Sequence, residues 1–93
     1  MSVAFNLRVH VPAEVLISNL DGESVLLNLR TETYFGLDEV GTRMWNVLTA
    51  AESIQAAFDM LAEEYDVEPS QLKQDLEDLL DELTVRQLLD VHE

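Results

Sequence analysis

The chain has 93 residues, of which 47% are hydrophobic, and 19 acidic side chains against 5 basic ones give a net charge of −14 at pH 7. This length suits one small domain over residues 1–93, and no apolar run approaches the roughly 20 residues of a membrane-spanning helix. Because the few bases are scattered, the excess of acid disfavours nucleic acid and anionic membranes as partners. The charge is explained either by a solvated acidic surface or by a partner with a basic or neutral docking segment.

Cysteine usage and the N-terminus indicate the compartment. The sequence contains no cysteine, which excludes disulfides and thiolate metal sites. The first eight residues lack the basic start and long apolar run of a secretory signal. We therefore expect a cytoplasmic location.

The first half of the chain has the patterns of antiparallel strands. Residues 5–11 alternate apolar and polar side chains before Pro12, so segment 1–12 is either an extra strand or an N-terminal arm. Asp21-Gly22, a strong hairpin signal, joins two apolar runs, and a further turn leads to a short third strand over 33–37. The pattern predicts a meander of three antiparallel strands. We assign alternate residues of the second strand to the core face: Val25, Leu27 and Leu29.

Three helices are predicted after the strands. Asp38 is placed to cap the first, the second begins near Ser53, and Pro69 suits the first position of the third. The third helix carries a leucine stripe that consists of Leu72, Leu76, Leu79, Leu80 and Leu83. Residues 84–93 form a tail able to dock back on the core. The fold class is therefore α+β: a three-stranded antiparallel sheet followed by three helices.

No combination of residues predicts catalysis, a metal site or a cofactor. His10 and His92 lie at opposite ends of the chain, there is no glycine-rich phosphate loop, and no serine or threonine has a histidine close by in sequence. Acid pairs such as Asp81-Glu82 lack the ligand spacing of a calcium loop. We expect a protein that is not an enzyme.

Strands followed by three helices also describe a winged helix-turn-helix, a frequent DNA-binding architecture. Residues 63–82 carry nine acids against one base, Lys73, so phosphates would repel this region. The sequence thus favours a winged helix-turn-helix-like fold without nucleic-acid binding.

Peptide capture is the first functional hypothesis from the residues alone. The short strand over 33–37 can leave one edge unpaired, and an unpaired edge is a template for a foreign strand. The leucine stripe can serve as core, as a dimer interface, or as the wall of a groove beside that strand.

Four segments resemble the PqqD-like family, whose members are also called RiPP precursor peptide recognition elements. They are Gly22–Thr31, Tyr34–Trp45, Leu61–Pro69 and Leu79–Leu83. The resemblance runs from about residue 14 to residue 89. One departure is Gln87, which stands before Leu88-Leu89 where many relatives have glycine.

The resemblance implies a winged-helix-like domain that binds a precursor's leader peptide as an extra antiparallel strand, between the third strand and the third helix. The matching strand residues are Thr33, Tyr34, Phe35, Gly36 and Leu37. The matching helix residues are Leu72, Lys73, Leu76, Leu79 and Leu80.

The implied role is that of a non-catalytic peptide chaperone in RiPP or PQQ-like biosynthesis. Such a protein delivers the leader peptide to a tailoring enzyme, for example a radical SAM enzyme or a leader peptidase with a cyclase. The alternative is an acidic regulatory module that dimerises through the leucine stripe. The exposed strand edge also allows a homodimer by strand exchange.

Overall fold

A computed structural model describes residues 4–92. Residues 1–3 of the predicted arm and residue 93 of the predicted tail lie outside that range. The elements in chain order are β1 (Arg8–His10), β2 (Val15–Leu20), β3 (Glu23–Asn28), β4 (Thr33–Leu37), α1 (Glu39–Ala50), α2 (Ile54–Glu64), α3 (Pro69–Val85) and β5 (Asp90–His92). The predicted three-stranded sheet followed by three helices is confirmed as an α+β fold.

The main sheet is an antiparallel meander in the order β2-β3-β4. Its first turn is Asp21-Gly22, and both residues have positive φ angles, 53° and 84°. Positive φ at both central positions is the geometry of a type I′ hairpin turn, which explains the choice of Asp-Gly. Register follows from this turn, so that Leu26 of β3 lies between Ile17 of β2 and Phe35 of β4.

A second, two-stranded sheet joins the two ends of the described chain. β1 pairs antiparallel with β5, and Val9 lies opposite Val91. Residues 8–10 of the N-terminal segment form this strand, which is separate from the main sheet. The tail docks back as expected, since Leu88 and Leu89 are buried.

Each helix begins at the residue that the sequence indicates. The Asp38 carboxylate accepts a hydrogen bond from the Gly41 N–H (2.8 Å), and the Ser53 hydroxyl accepts one from the Ala56 N–H (3.0 Å). These caps satisfy N–H groups that have no partner within the helix. Pro69 is the first residue of α3, where its missing N–H costs no hydrogen bond. Within residues 4–92, no helix combines the length and the apolar character needed to cross a bilayer.

The core lies between one face of the main sheet and the three helices. On β3 that face carries Ser24, Leu26 and Asn28, all of them buried, whereas Val25 and Leu29 are 47% and 55% exposed. The prediction that Val25, Leu27 and Leu29 form the core face was therefore wrong, although Leu27 is half-buried.

Hydrogen bonds explain how the more polar face of β3 is buried. The Ser24 and Thr42 hydroxyls lie 2.8 Å apart, and Asn28 hydrogen-bonds to backbone groups of three residues: Arg30, Thr31 and Gln87. A buried polar group whose hydrogen bonds are made avoids most of the desolvation penalty. Because both faces of β3 carry leucines, alternation alone could not identify the face that the helices cover.

Candidate functional site

β4 is an edge strand of the main sheet. It pairs with β3 on one side, and no other strand of residues 4–92 pairs with its second side. Backbone N–H and C=O groups along that free edge are therefore open to an added strand. The sequence prediction of an unpaired edge at residues 33–37 agrees with this topology.

The side chains of β4 alternate between the two faces of the sheet. Leu37 is buried, and Thr33 and Phe35 are half-buried on the face toward the helices. Tyr34, which is 73% exposed, and Gly36 belong to the outer face. A strand added at this edge would have its own side chains sorted between the same two surfaces.

The C-terminal end of α3 reaches β4 through Arg86. The guanidinium carbon of Arg86 lies 4.9 Å from the centre of the Phe35 ring, a cation–π distance. Arg86 is held there by hydrogen bonds to the Glu82 side chain and to the Glu82 carbonyl. Phe35 and Arg86 thus mark the place where the sheet edge and the third helix meet.

Three of the five predicted helix residues lie inside the core. Leu72, Leu76 and Leu80 are 2%, 0% and 0% exposed, so their side chains support the helix rather than offer surface. Lys73 extends toward the N-terminal segment, where its Nζ lies 5.6 Å from the centre of the Phe5 ring. Leu79 is the predicted helix residue that is apolar and only half-buried.

The face of α3 that carries Arg86 can be followed back along the helix. Asp75, Leu79, Glu82 and Arg86 follow one another at steps of three or four residues. They lie on one side of the helix, because an α-helix has 3.6 residues per turn. Asp75 and Glu82 are exposed, so this side combines two carboxylates with one half-buried leucine. The leucine pattern alone did not assign Asp75, Glu82 and Arg86 to the site. The same helical spacing, continued to residue 86, includes all three.

The end of α3 is also tied to β3. Asn28 Nδ2 donates to the Gln87 carbonyl (2.6 Å), and Arg30 Nη2 donates to Gln87 Oε1 (2.7 Å). These contacts fix the distance between the C-terminus of α3 and the turn that leads into β4. The C-terminus of α3 and the start of β4 are therefore held in a fixed position relative to each other.

No cluster of metal-ligating side chains accompanies this site. Among residues 4–92, no group of three or more His, Asp or Glu side chains is placed to hold a metal ion. What the arrangement offers is an unpaired strand edge, an aromatic ring, a half-buried leucine and an acidic helix face. Those groups are suited to binding an extended peptide.

Comparison with known proteins gives one family and two similar structures. The profile described as "Coenzyme PQQ synthesis protein D (PqqD)" matches residues 23–89. The structure "TbiB1 in complex with the TbiA(beta) leader peptide" is 38% identical with a TM-score of 0.79, over 86% of this chain and 93% of that one.

The structure "lasso peptide synthetase B1 complexed with the leader peptide" also has a TM-score of 0.79, over 89% of this chain and 98% of that one. At 22% identity it shows a shared fold. No curated protein matches the sequence. Because the family profile covers most of the chain and a 38% identical structure covers 86% of it, this protein belongs to the PqqD family.

Proposed function

We propose that this protein is a RiPP recognition element, which binds the leader peptide of a ribosomal precursor by strand addition and has no catalytic activity of its own. One observation carries the proposal. Among the described residues β4 has an unpaired edge, and Arg86 at the end of α3 covers Phe35 of that strand, in a chain that is 38% identical to a protein solved with a leader peptide bound. Backbone pairing would supply affinity that tolerates sequence variation, and side-chain contacts would supply selectivity.

The guest strand is proposed to lie antiparallel along Thr33–Leu37. Its backbone would complete the hydrogen bonds of the β4 edge. Every second side chain would point toward the helices and meet Phe35 and Leu79, the half-buried apolar groups there. A guest running past the end of α3 would also contact Arg86, which now covers one face of the Phe35 ring.

The helix residues predicted from the sequence keep different roles in this proposal. Leu79 is proposed to contact the guest directly, whereas the buried Leu72, Leu76 and Leu80 hold α3 in place behind it. Lys73, located beside Phe5, is proposed to have the least effect on binding.

The acidic side of α3 favours a leader with a basic residue. Asp75 and Glu82 are exposed on the same side as Leu79, in a protein of net charge −14. Because Glu82 already pairs with Arg86, a lysine or arginine of the leader would gain most beside Asp75, in an interaction that salt screens. Affinity should therefore fall as the ionic strength rises, and an affinity unchanged between low and high salt would remove the basic residue from the proposal.

Delivery to an enzyme completes the proposed role. A leader held at β4 would leave the rest of the precursor free for a tailoring enzyme, such as a radical SAM enzyme or a leader peptidase with a cyclase. In this proposal such chemistry is assigned to the partner enzyme, and this chain supplies the binding groups of the site.

An NMR titration tests the proposal. Protein labelled with ¹⁵N is titrated with a synthetic leader peptide from the precursor gene beside its own, and with the TbiA(β) leader as a second probe. Saturable shifts at residues 33–37 and at Leu79 would support strand addition. Concentration-dependent dimerisation without shifts from either peptide would instead favour the alternative of an acidic dimerising module.

A further inference from the structure

The pairing of β1 with β5 brings together the two histidines of the sequence, which lie near opposite ends of the chain. His10 lies opposite Asp90, and Arg8 lies opposite His92. The two imidazoles are therefore diagonal neighbours on one face of this small sheet, a spacing that aromatic side chains can bridge. Their separation in sequence was a reason to expect no metal site, and the fold removes that reason.

The face that carries the histidines is turned toward solvent. Val9 and Val91, on the other face, are half-buried and pack against the hydrophobic core. His10 and His92 are both exposed. An ion from solution can therefore reach the two imidazoles, and water molecules have room around it.

The distance between the two rings fits a shared metal ion. The ring centres of His10 and His92 lie 5.7 Å apart, with their planes at 82°. A Zn–N bond is about 2.0–2.1 Å long and the ring centre lies roughly 1.2 Å behind the nitrogen, so two imidazoles on one ion have their centres about 5–6.5 Å apart. Rotation about the Cβ–Cγ bond, a soft torsion in histidine, turns a ring nitrogen toward its neighbour without moving the strands. The backbone thus already holds the two imidazoles at the separation that one ion requires.

We propose that His10 and His92 bind one divalent transition-metal ion, with Zn²⁺ as the reference ion. Neutral imidazole is a preferred ligand of Zn²⁺, Ni²⁺ and Cu²⁺, whereas Mg²⁺ and Ca²⁺ prefer oxygen ligands. Since no group of three or more His, Asp or Glu side chains among residues 4–92 is placed to hold a metal ion, water molecules complete the coordination. Asp90 and Arg8 add one charge of each sign to the same face. The two imidazoles therefore determine which class of ion binds.

A bound ion would join the N-terminal segment to the segment after α3. The N-terminal segment is itself fastened to the start of α2, because the Phe5 and Leu7 carbonyls accept hydrogen bonds from the N–H groups of Gln55 (2.7 Å) and Ile54 (2.8 Å). An ion that binds only when β1 and β5 are paired stabilises the folded state by mass action. The site is therefore structural, and it is independent of leader-peptide binding at β4.

NMR spectra of the imidazole groups test the site in the wild-type protein. Protein without an affinity tag is titrated with ZnCl₂ at neutral pH, in excess Mg²⁺ that occupies carboxylate sites on the acidic surface. Because the sequence contains two histidines, two sets of ring signals report on binding. We expect both sets to change together and to saturate at one ion per chain. A change confined to one histidine, or no saturable change in either, would overturn the inference.

Calorimetric titration of variants with ZnCl₂, in the same Mg²⁺ background, measures the contribution of each ligand. His10→Ala and His92→Ala should each weaken Zn²⁺ binding by at least about tenfold, because loss of a ligand costs more than loss of the groups that orient it. Arg8→Gln is the matched control, since it keeps both imidazoles, removes a positive charge from the same face and should bind Zn²⁺ at least as tightly as the wild type. Equal affinity in the wild type and both histidine variants would assign the ion to the acidic surface and overturn the inference.

Urea unfolding shows whether the ion joins the two ends of one chain. Zn²⁺ should raise the unfolding midpoint of the wild type and of Arg8→Gln, and it should leave both histidine variants unchanged. A Zn²⁺-dependent midpoint that rises with protein concentration would mean that the ion links two molecules, and this would overturn the proposed site. The exposed histidines contribute no core packing, so the variants should fold, and the NMR titration requires no variant.

Discussion

Asn28 donates a hydrogen bond from its side-chain amide to the backbone carbonyl of Gln87, 59 residues further along the chain, at an N···O distance of 2.6 Å. The amide oxygen of Asn28 accepts from the backbone N–H groups of Arg30 (2.9 Å) and Thr31 (3.1 Å). Because Asn28 is fully buried, one side chain joins the turn before β4 to the end of α3. Both walls of the proposed peptide groove depend on this link.

We expect Asn28→Ala to lower the free energy of unfolding by about 1–3 kcal/mol, since it removes a buried side chain that hydrogen-bonds to three partly buried backbone groups. Urea denaturation followed by circular dichroism measures the change. Asn6→Ala is the matched control, because Asn6 is exposed and its removal should cost less than about 0.5 kcal/mol. An Asn28→Ala cost as small as that of the control would show that the link is not needed.

Gln87 adopts a conformation that favours glycine. Its φ angle is +59°, and the N–H groups of Gln87 and Leu88 donate to the carbonyls of Thr84 (3.1 Å) and Leu83 (2.9 Å). This is the hydrogen-bond pattern of a Schellman motif with Gln87 at its left-handed position. Glycine, the residue that the family resemblance leads one to expect before the Leu-Leu pair, would adopt this φ angle without strain.

Gln87→Gly should therefore raise the free energy of unfolding by about 1 kcal/mol, because it relieves the left-handed conformation. Loss of the exposed hydrogen bond from Arg30 to the Gln87 side chain should reduce this gain. Gln87→Ala separates the two effects, because it loses the Arg30 contact and keeps the strained φ angle. Thermal and urea unfolding of both variants give the comparison. A glycine variant no more stable than the alanine variant would mean that the left-handed conformation carries no cost.

Local signals in the sequence predicted the order of elements correctly. Asp21-Gly22, Asp38, Ser53 and Pro69 each act on backbone groups within about four residues, through turn geometry or capping. Each of these interactions joins residues that lie close together in the sequence. The hairpin turn and the first residue of each helix could therefore be predicted without knowledge of the tertiary structure.

Contacts between residues that are distant in sequence determine which face of β3 and which side of α3 are covered, and these could not be predicted from the sequence. The covered face of β3 depends on two pairings, Ser24 with Thr42 and Asn28 with Gln87, which lie 18 and 59 residues apart. The same limit applies to α3, where a leucine stripe shows that one side is buried but not which leucines lie at its edge. The contact between Arg86 and Phe35 identifies the side of α3 that faces β4, and the contact between Lys73 and Phe5 identifies the side that faces the N-terminal segment.

An ion pair between α1 and α2 gives a pH dependence of stability. Arg43 donates two hydrogen bonds to the Glu64 carboxylate, and these bonds hold the pKa of Glu64 below its ordinary value. A carboxylate with a lowered pKa in the folded state adds stability above its unfolded pKa, and loses that contribution as the pH falls through the folded value. Glu64→Gln should therefore be less stable than the wild type at pH 7, with the difference disappearing on acidification.

Urea unfolding of wild type and Glu64→Gln at several pH values between 7 and 3 measures this difference. Both side chains are exposed enough for salt to screen the pair, so the difference should also shrink at high ionic strength. Glu63→Gln is the control, since Glu63 is the exposed neighbour in sequence. A wild-type advantage that grows toward acid pH would contradict the assignment.

Leu79 and Lys73 flank the buried leucines of α3 on two different sides and give the most direct test of the groove wall. Leu79→Ala removes the half-buried apolar group on the side of Arg86, and should weaken leader-peptide binding by about tenfold, which is the value of burying a leucine side chain in part. Lys73→Ala, beside Phe5, should change the affinity by less than about twofold. Calorimetric titration of each variant with the neighbouring leader peptide measures both effects. A larger loss from Lys73→Ala than from Leu79→Ala would place the peptide on the Phe5 side of the helix, away from the free edge of β4.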